Sequence, residues 1–499
     1  MEMNLITQWR PRPGRVVTWT ATPAARDAAA AAPVDPMPPT TMQERHLRRA
    51  RLAREAGEMQ SPWIGVAFDF PGKPSISDIT AVLEQYVRRH GTLHSWFSFE
   101  DDTRSAADRD NAVRRRVVPT EAIALEATDI GVLDTTEKVR DHVAKRFAEE
   151  ASALAWPAFV FGIVEHEPDD DDPDGSFTLY HAVDHAHTDM VSILLSFAEI
   201  RTLHDARLAG TSPELPPAAS YADYAARERE QASQLTMASP EVAKWLGYLS
   251  RSGGSFPQFP LDLGVEDGPK PAVGTRFELA DGEQCLAFGR RCKELGSGFA
   301  GGIFAALAIT ELEVAGRTSY MSMTPLAVRE NEYMLSQGWF INLVPVAIDI
   351  DGARSFADLA GRAQEAFTEG KSLSGVSVQQ VVETVVAQAD SLGSGDTASL
   401  APPPIVSYID ARHMPHADAF VSTRATGIVG GKDTRIASMW INRVNEGVWL
   451  AFSYPDTPTA HESTSTYAHT LATVIRSVAE TGDYTIARSD IPAAEEVSA

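Results

Sequence analysis

Cysteine is almost missing from this chain: among 499 residues there are two, Cys285 and Cys292. They stand seven positions apart in a helix-like stretch, which places both on one helix face about 10 Å apart, too far for a disulfide. No C-x-x-C pair exists, so a thiolate zinc site is excluded. Two unpaired thiols suit a reducing compartment. The N-terminus has no basic stretch leading into an apolar core, so no signal peptide is read and a cytoplasmic location is expected. Long apolar runs are also missing. The longest, FAGGIFAALAIT, falls well short of the roughly 20 residues that a membrane-spanning helix needs. Positive charge is scarce: 44 Lys and Arg face 68 Asp and Glu, for a net charge of −24. That excludes non-specific binding to nucleic acid or anionic membrane, which needs basic patches. No serine sits in a G-x-S-x-G elbow, which removes the commonest serine-hydrolase arrangement.

What the chain does contain is a concentrated polar turn. Ser176 to Met190 reads SFTLYHAVDHAHTDM. Phe177, Leu179, His181 and Val183 alternate, the period of a strand. The apolar segment VSILLSFAEI follows at once, with helical length. The stretch therefore predicts strand, polar turn, helix, with His181, Asp184, His185, His187 and Asp189 gathered around the turn. A zinc site from these residues would want an H-x-x-x-H pair on a helix, where i and i+4 share a face, but His181 lies on the predicted strand. No glutamate sits beside the histidines as in a metalloprotease helix, so no metal is expected. General-base chemistry remains, because imidazole serves near neutral pH without large tuning.

The length calls for more than one domain. RVVTW (15–19) predicts a strand, residues 21–40 an irregular segment rich in alanine and proline, and 42–58 a solvent-facing helix of mixed charge. Strand 64–70 and helix 75–88 follow, the latter with Ile76, Ile79, Val82, Leu83 and Val87 at helical spacing and with Ser77 and Asp78 as candidate caps. Strand 159–164 is expected to pair with 177–183 across the acidic tip 165–174, whose like charges and prolines belong in solvent. The segment AGTSPELPPAAS (209–220) has linker composition. The boundary is placed there, giving domains 1–215 and 216–499, each mixing strands and helices.

The turn resembles the H-H-x-x-x-D-G motif of the condensation-domain and chloramphenicol-acetyltransferase-like superfamily. Aligned on it, Asp184 takes the first histidine, His185 the second, Asp189 the aspartate and Met190 the glycine. Within that superfamily the chain is most similar to the polyketide-associated (Pap) acyltransferases, through an ordered set of segments: WRPRPGRVVTWTATPA, APVDPMPP, YVRRHGTLHSWF, VDHAHTD, SYADY, SPEVAKW, FPQFPL, FAGGIFA, TPLAVRE and SQGWFINLVPV. The resemblance implies an α/β (α+β) fold of two chloramphenicol-acetyltransferase-like subdomains in a V, with a substrate tunnel at their interface. It implies His185 as general base, taking a proton from an acceptor hydroxyl as the hydroxyl attacks an acyl thioester. The donor would be acyl-CoA or acyl-phosphopantetheine on a carrier protein, used as co-substrate with no bound cofactor. The acceptor would be a small hydroxyl compound or glycolipid, the product an ester in lipid or polyketide metabolism, and the protein a monomer. Asp189 would be a structural strut paired with Arg329 of TPLAVRE. Met190, Gly338, Trp339 and Phe340 would line the tunnel. Three positions depart from the pattern: Asp184, Met190, and His94, which stands where condensation relatives carry arginine. Two alternatives stay open, a free-standing condensation enzyme forming an amide and a catalytically degenerate member that only binds.

Overall fold

The computed structural model describes residues 2–58, 63–99, 113–168, 170, 172–253, 256–391 and 404–487. The chain forms two compact units. The first comprises Met1–Gln234, Arg329–Ile341 and Met414–Gly431, and the second Leu235–Val328, Asn342–His413 and Lys432–Ala499. The boundary expected after residue 215 thus lies inside the first unit. Residues 211–220 are coil, as their composition suggests, but the helix Tyr221–Ser233 beyond them stays with the first unit. It buries Tyr221 and Ala225, and its Arg229 Nε donates to the Pro39 carbonyl at 2.7 Å.

The first unit is built on a seven-stranded sheet. Its spatial order is Glu2–Leu5, Thr426–Val429, Trp63–Pro71, Ser176–Asp184, Phe159–His166, Gly14–Ala21 and Leu125–Leu133. All neighbours are antiparallel except the first two, which run parallel. The predicted hairpin is present, with Phe159 opposite Val183 and His166 opposite Ser176; residues 169 and 171 of the acidic tip lie outside the described residues. Strand Ser176–Asp184 is buried at every position rather than on one face. Helices cover it on both sides. Tyr180 meets Phe147 of the helix Thr136–Glu150, while the Nε2 of His181 bonds the Ser196 hydroxyl of the helix Met190–Ala209 at 2.8 Å.

Three local expectations change. Residues 21–40 are not wholly irregular, for Pro23–Ala30 is a helix. Proline at its first position needs no amide partner, the Thr22 hydroxyl accepts from Ala25 N, and alanine is the best helix former. The helix Thr41–Glu55 is not simply solvent-facing either. It begins with a capping box from Thr40 and Gln43 and buries Gln43, Leu47, Ala50 and Ala53. The helix Ile76–Arg89 is capped by Ser75, one turn ahead of Asp78, rather than by Ser77.

The second unit has a four-stranded sheet ordered Ala272–Asp281, Gly447–Pro455, Ser438–Val444, Val406–Asp410, and a separate pair, Ser319–Ala327 with Ile341–Asp349. Its core gathers Phe288, Phe304, Phe356, Tyr467 and Leu471 from four helices. Cys285 and Cys292 are free and buried there, and burial pushes their thiols up to about 11 and about 12, which makes them inert packing groups. Among the described residues no single helix is long and apolar enough to cross a membrane. The bent pair Gly282–Glu294 and Phe299–Ala315 comes nearest, and the second of these is a core helix.

Candidate active site

The ionisable turn sits where strand Ser176–Asp184 ends. Asp184 caps a short 3-10 turn, His185–His187, and Asp189 caps the helix Met190–Ala209, which Gly210 closes in the left-handed conformation. Two carboxylates therefore flank the imidazole of His185 in sequence, each committed to holding backbone.

Asp184 is 1% exposed and accepts three hydrogen bonds: Ala186 N at 2.8 Å and His46 Nε2 at 2.9 Å on Oδ1, and Ala153 N at 2.9 Å on Oδ2. Burial by itself would raise its carboxyl, but the charge and hydrogen bond of His46, with the Ala186 amide, hold it below the usual carboxylate range. Asp189 is fully buried. Its Oδ1 accepts Ser192 N at 2.6 Å and Arg329 Nη2 at 3.0 Å, and its Oδ2 accepts Phe340 N at 2.9 Å. Arg329, with a side chain 2% exposed, also donates to the carbonyls of Tyr333 and Ser336, at 3.0 and 2.6 Å, and lies over the Phe340 ring at 4.4 Å. The expected pairing of Asp189 with Arg329 is thus formed, across 140 positions of sequence.

Ser192, one turn into the helix, completes the arrangement. Its hydroxyl donates to the Gly338 carbonyl at 2.8 Å and accepts from Gly338 N at 3.2 Å, while Gln337 Nε2 donates to the Ser192 carbonyl at 2.9 Å. The loop so fastened carries Trp339 onto His185, with ring centroids 4.0 Å apart. Position 338 must be glycine, because a Cβ there would lie 2.1 Å from the Tyr221 ring.

His185 is half-buried, and among the described residues no other one bonds its buried Nδ1. Its own carbonyl and the charges of Asp189 and Asp184 favour a proton on the ring. Nε2 is the nitrogen left to meet another molecule. Burial, reinforced by the neighbouring His46, pushes the imidazole down to about 4, so the ring is neutral at physiological pH.

Of the expected tunnel residues, Trp339 and Met190 are half-buried, but Gly338 and Phe340 are buried. Phe340 is 0% exposed among Tyr221, Tyr224 and Tyr333, so it is a packing residue and not a lining one. The other histidines are occupied. His181 bonds Ser196, His187 Nδ1 bonds the Thr92 hydroxyl at 3.1 Å, and His94 Nε2 bonds the Val87 carbonyl at 2.9 Å. Among the described residues no group of three or more His, Cys, Asp and Glu side chains could hold a metal ion. The residue that sequence reasoning missed is His46, which carries Asp184 and stands 6.3 Å, ring to ring, from His185. Its signal was faint. It precedes Leu47 in the buried stripe Gln43, Leu47, Ala50, but five arginines of the same helix hide it.

Comparison with known proteins places these features in context. A family model described as the condensation domain matches residues 37–394. Acyltransferase PapA3 of Mycobacterium tuberculosis is 31% identical over 489 residues, covering 97% of this chain and 98% of that protein. The 2'-acyl-2-O-sulfo-trehalose (hydroxy)phthioceranyltransferase PapA1 of the same organism is 29% identical, covering 97% and 89%. The solved structure of a PapA2 acyl transferase superposes with a TM-score of 0.85 at 27% identity, covering 96% of this chain and all of that one.

Proposed function

Because the chain belongs to the condensation-domain family and, within it, to the Pap acyltransferases, we propose a reaction centred on His185. The protein is an acyltransferase that forms esters in lipid or polyketide biosynthesis. In our reading His185 Nε2 is the general base. It takes the proton of an acceptor hydroxyl as the oxygen attacks the carbonyl of an acyl thioester. The tetrahedral intermediate collapses, the C–S bond breaks, and the leaving thiolate recovers the proton from His185. The ester and the free thiol are the products. General-base help of this kind is worth about 10² to 10⁴ in rate, with the remainder drawn from positioning.

One observation carries this reading: of the two histidines in its turn His185 is the half-buried one while His187 is fully buried, and both flanking carboxylates are spent on holding the backbone around it. Asp189 and Arg329 serve as struts. Trp339 and Met190 are the half-buried side chains that a substrate would meet beside the base. The donor is a thioester of coenzyme A or of carrier-protein phosphopantetheine, supported by the family. PapA1 is named for acting on an acylated sulfotrehalose, which favours a carbohydrate hydroxyl as acceptor. His185→Ala is expected to lower turnover by at least a hundredfold with an unchanged melting temperature, measured as ester product by mass spectrometry after mixing acyl thioesters with candidate alcohols. Wild-type turnover in that variant would remove the base assignment. An amine acceptor run in parallel separates ester from amide formation.

A further inference from the structure

The least explained group beside the base is His46. It comes from the helix Thr41–Glu55, remote in sequence from the turn it touches. Asp184 is held ionised and can only accept, so His46 Nε2 must carry a hydrogen and donate it. The bond fixes the carboxylate that caps the His185–His187 turn. The same ring meets Trp339 edge-on at 5.5 Å, and Trp339 lies on His185 at 4.0 Å. Three rings and one carboxylate thus close a circuit around the base: His46 to Asp184, Asp184 to the turn, His46 to Trp339, Trp339 to His185. The titratable groups facing His46 from the turn are Asp184 and His185, with His187 behind them. Neither face of the circuit is spare packing, since removing His46 would leave buried Asp184 one donor short and Trp339 without its edge support.

We propose that His46 is a positioning residue for the transfer reaction, holding the His185 turn through Asp184 and the His185 ring through Trp339. The inference rests on His185 being the base. A ring held in one orientation does not have to be ordered in the transition state, so its loss falls on kcat rather than on substrate binding. His46 also disfavours protonation of the neighbouring His185 ring, which helps keep the base neutral.

The test uses the full chain with an acyl thioester and an alcohol acceptor, and compares His46→Ala, His46→Gln and His185→Ala. Glutamine keeps an N–H for Asp184 but carries no charge. His46→Ala is expected to lose at least tenfold in kcat with KM for the thioester changed less than threefold. His46→Gln is expected to recover kcat to within threefold of wild type. Its kcat/KM should nevertheless fall at least twofold further than wild type between pH 7.5 and pH 5.0. Wild-type kcat in His46→Ala overturns the proposal, and so does a glutamine variant as slow as the alanine one. If His46→Ala does not fold, the glutamine variant decides alone: its kcat and its pH profile must separate as stated, and a wild-type pH profile overturns the proposal. Persistent turnover in His185→Ala would instead strike the base assignment and is read separately.

Discussion

His185 is defined as much by what its neighbours are prevented from doing as by its own chemistry. His181 on the preceding strand and His187 in the same turn are nearby, yet burial pushes them down to about 3 and about 4 and each is tied to a hydroxyl. His185 shares the low basicity but is only half-buried. The sign of the pH dependence follows. A base works while neutral, so its rate is flat above its own pKa and falls as pH drops through it. With the ring held at about 4, kcat/KM should agree within twofold at pH 7.5 and pH 5.5. An ordinary histidine, near 6.5, would lose most of its rate over that interval, and such a loss would show the ring to be less desolvated than described. The strut is a residue-scale feature too. Arg329→Ala would leave the fully buried Asp189 without its cation, at a cost of about 3–5 kcal/mol. A drop in melting temperature together with lost activity is expected. Arg329→Lys should not rescue it, because one ammonium cannot serve Asp189, Tyr333 and Ser336 in the planar fork that Arg329 uses.

At the scale of elements, the controlling junction is the first turn of the helix Met190–Ala209 against the loop Gln337–Phe340. Asp189 and Ser192 between them bind the backbone of Gly338 and Phe340. Ser192→Ala removes a buried hydroxyl whose partners then go unsatisfied, costing about 1–3 kcal/mol. It should slow turnover about tenfold by loosening Trp339, with thermal melts and steady-state rates as the checks. Elements were unequally legible from sequence. Strand, turn and helix around His185 announced themselves because a period-2 run meets a helical one within fifteen residues. The pairing of Asp189 with Arg329 came only through family resemblance, since nothing local links residues so far apart. The helix Thr41–Glu55 misled because its arginines suggested solvent, although Gln43, Leu47 and Ala50 already marked a buried stripe. Phe340 could not be told from a lining residue, for an aromatic side chain suits a core and a binding wall equally well.

At the scale of the whole molecule, the first unit is not a continuous piece of chain. Strand Thr426–Val429 lies between Glu2–Leu5 and Trp63–Pro71 in its sheet, and Arg329 arrives in a second late segment. A linker-like composition at 209–220 therefore does not mark a place to cut. A fragment ending at Gln234 would lack an interior strand and the Asp189 partner. It is expected to be inactive and to show no cooperative melt by circular dichroism; a sharp transition would mean that the sheet closes without its borrowed strand.

That borrowed material also sets a clock. At synthesis rates of ~5–20 residues per second, the 140 positions between Asp189 and Arg329 take roughly 7 to 28 seconds to translate. Throughout that interval the nascent chain holds a carboxylate destined for burial with no cation to meet it, and a sheet that must wait longer still for residues 426–429. Ester formation can begin only after nearly the whole chain has left the ribosome. A polypeptide that stops before those residues lacks both the Asp189 partner and an interior strand of the first unit's sheet.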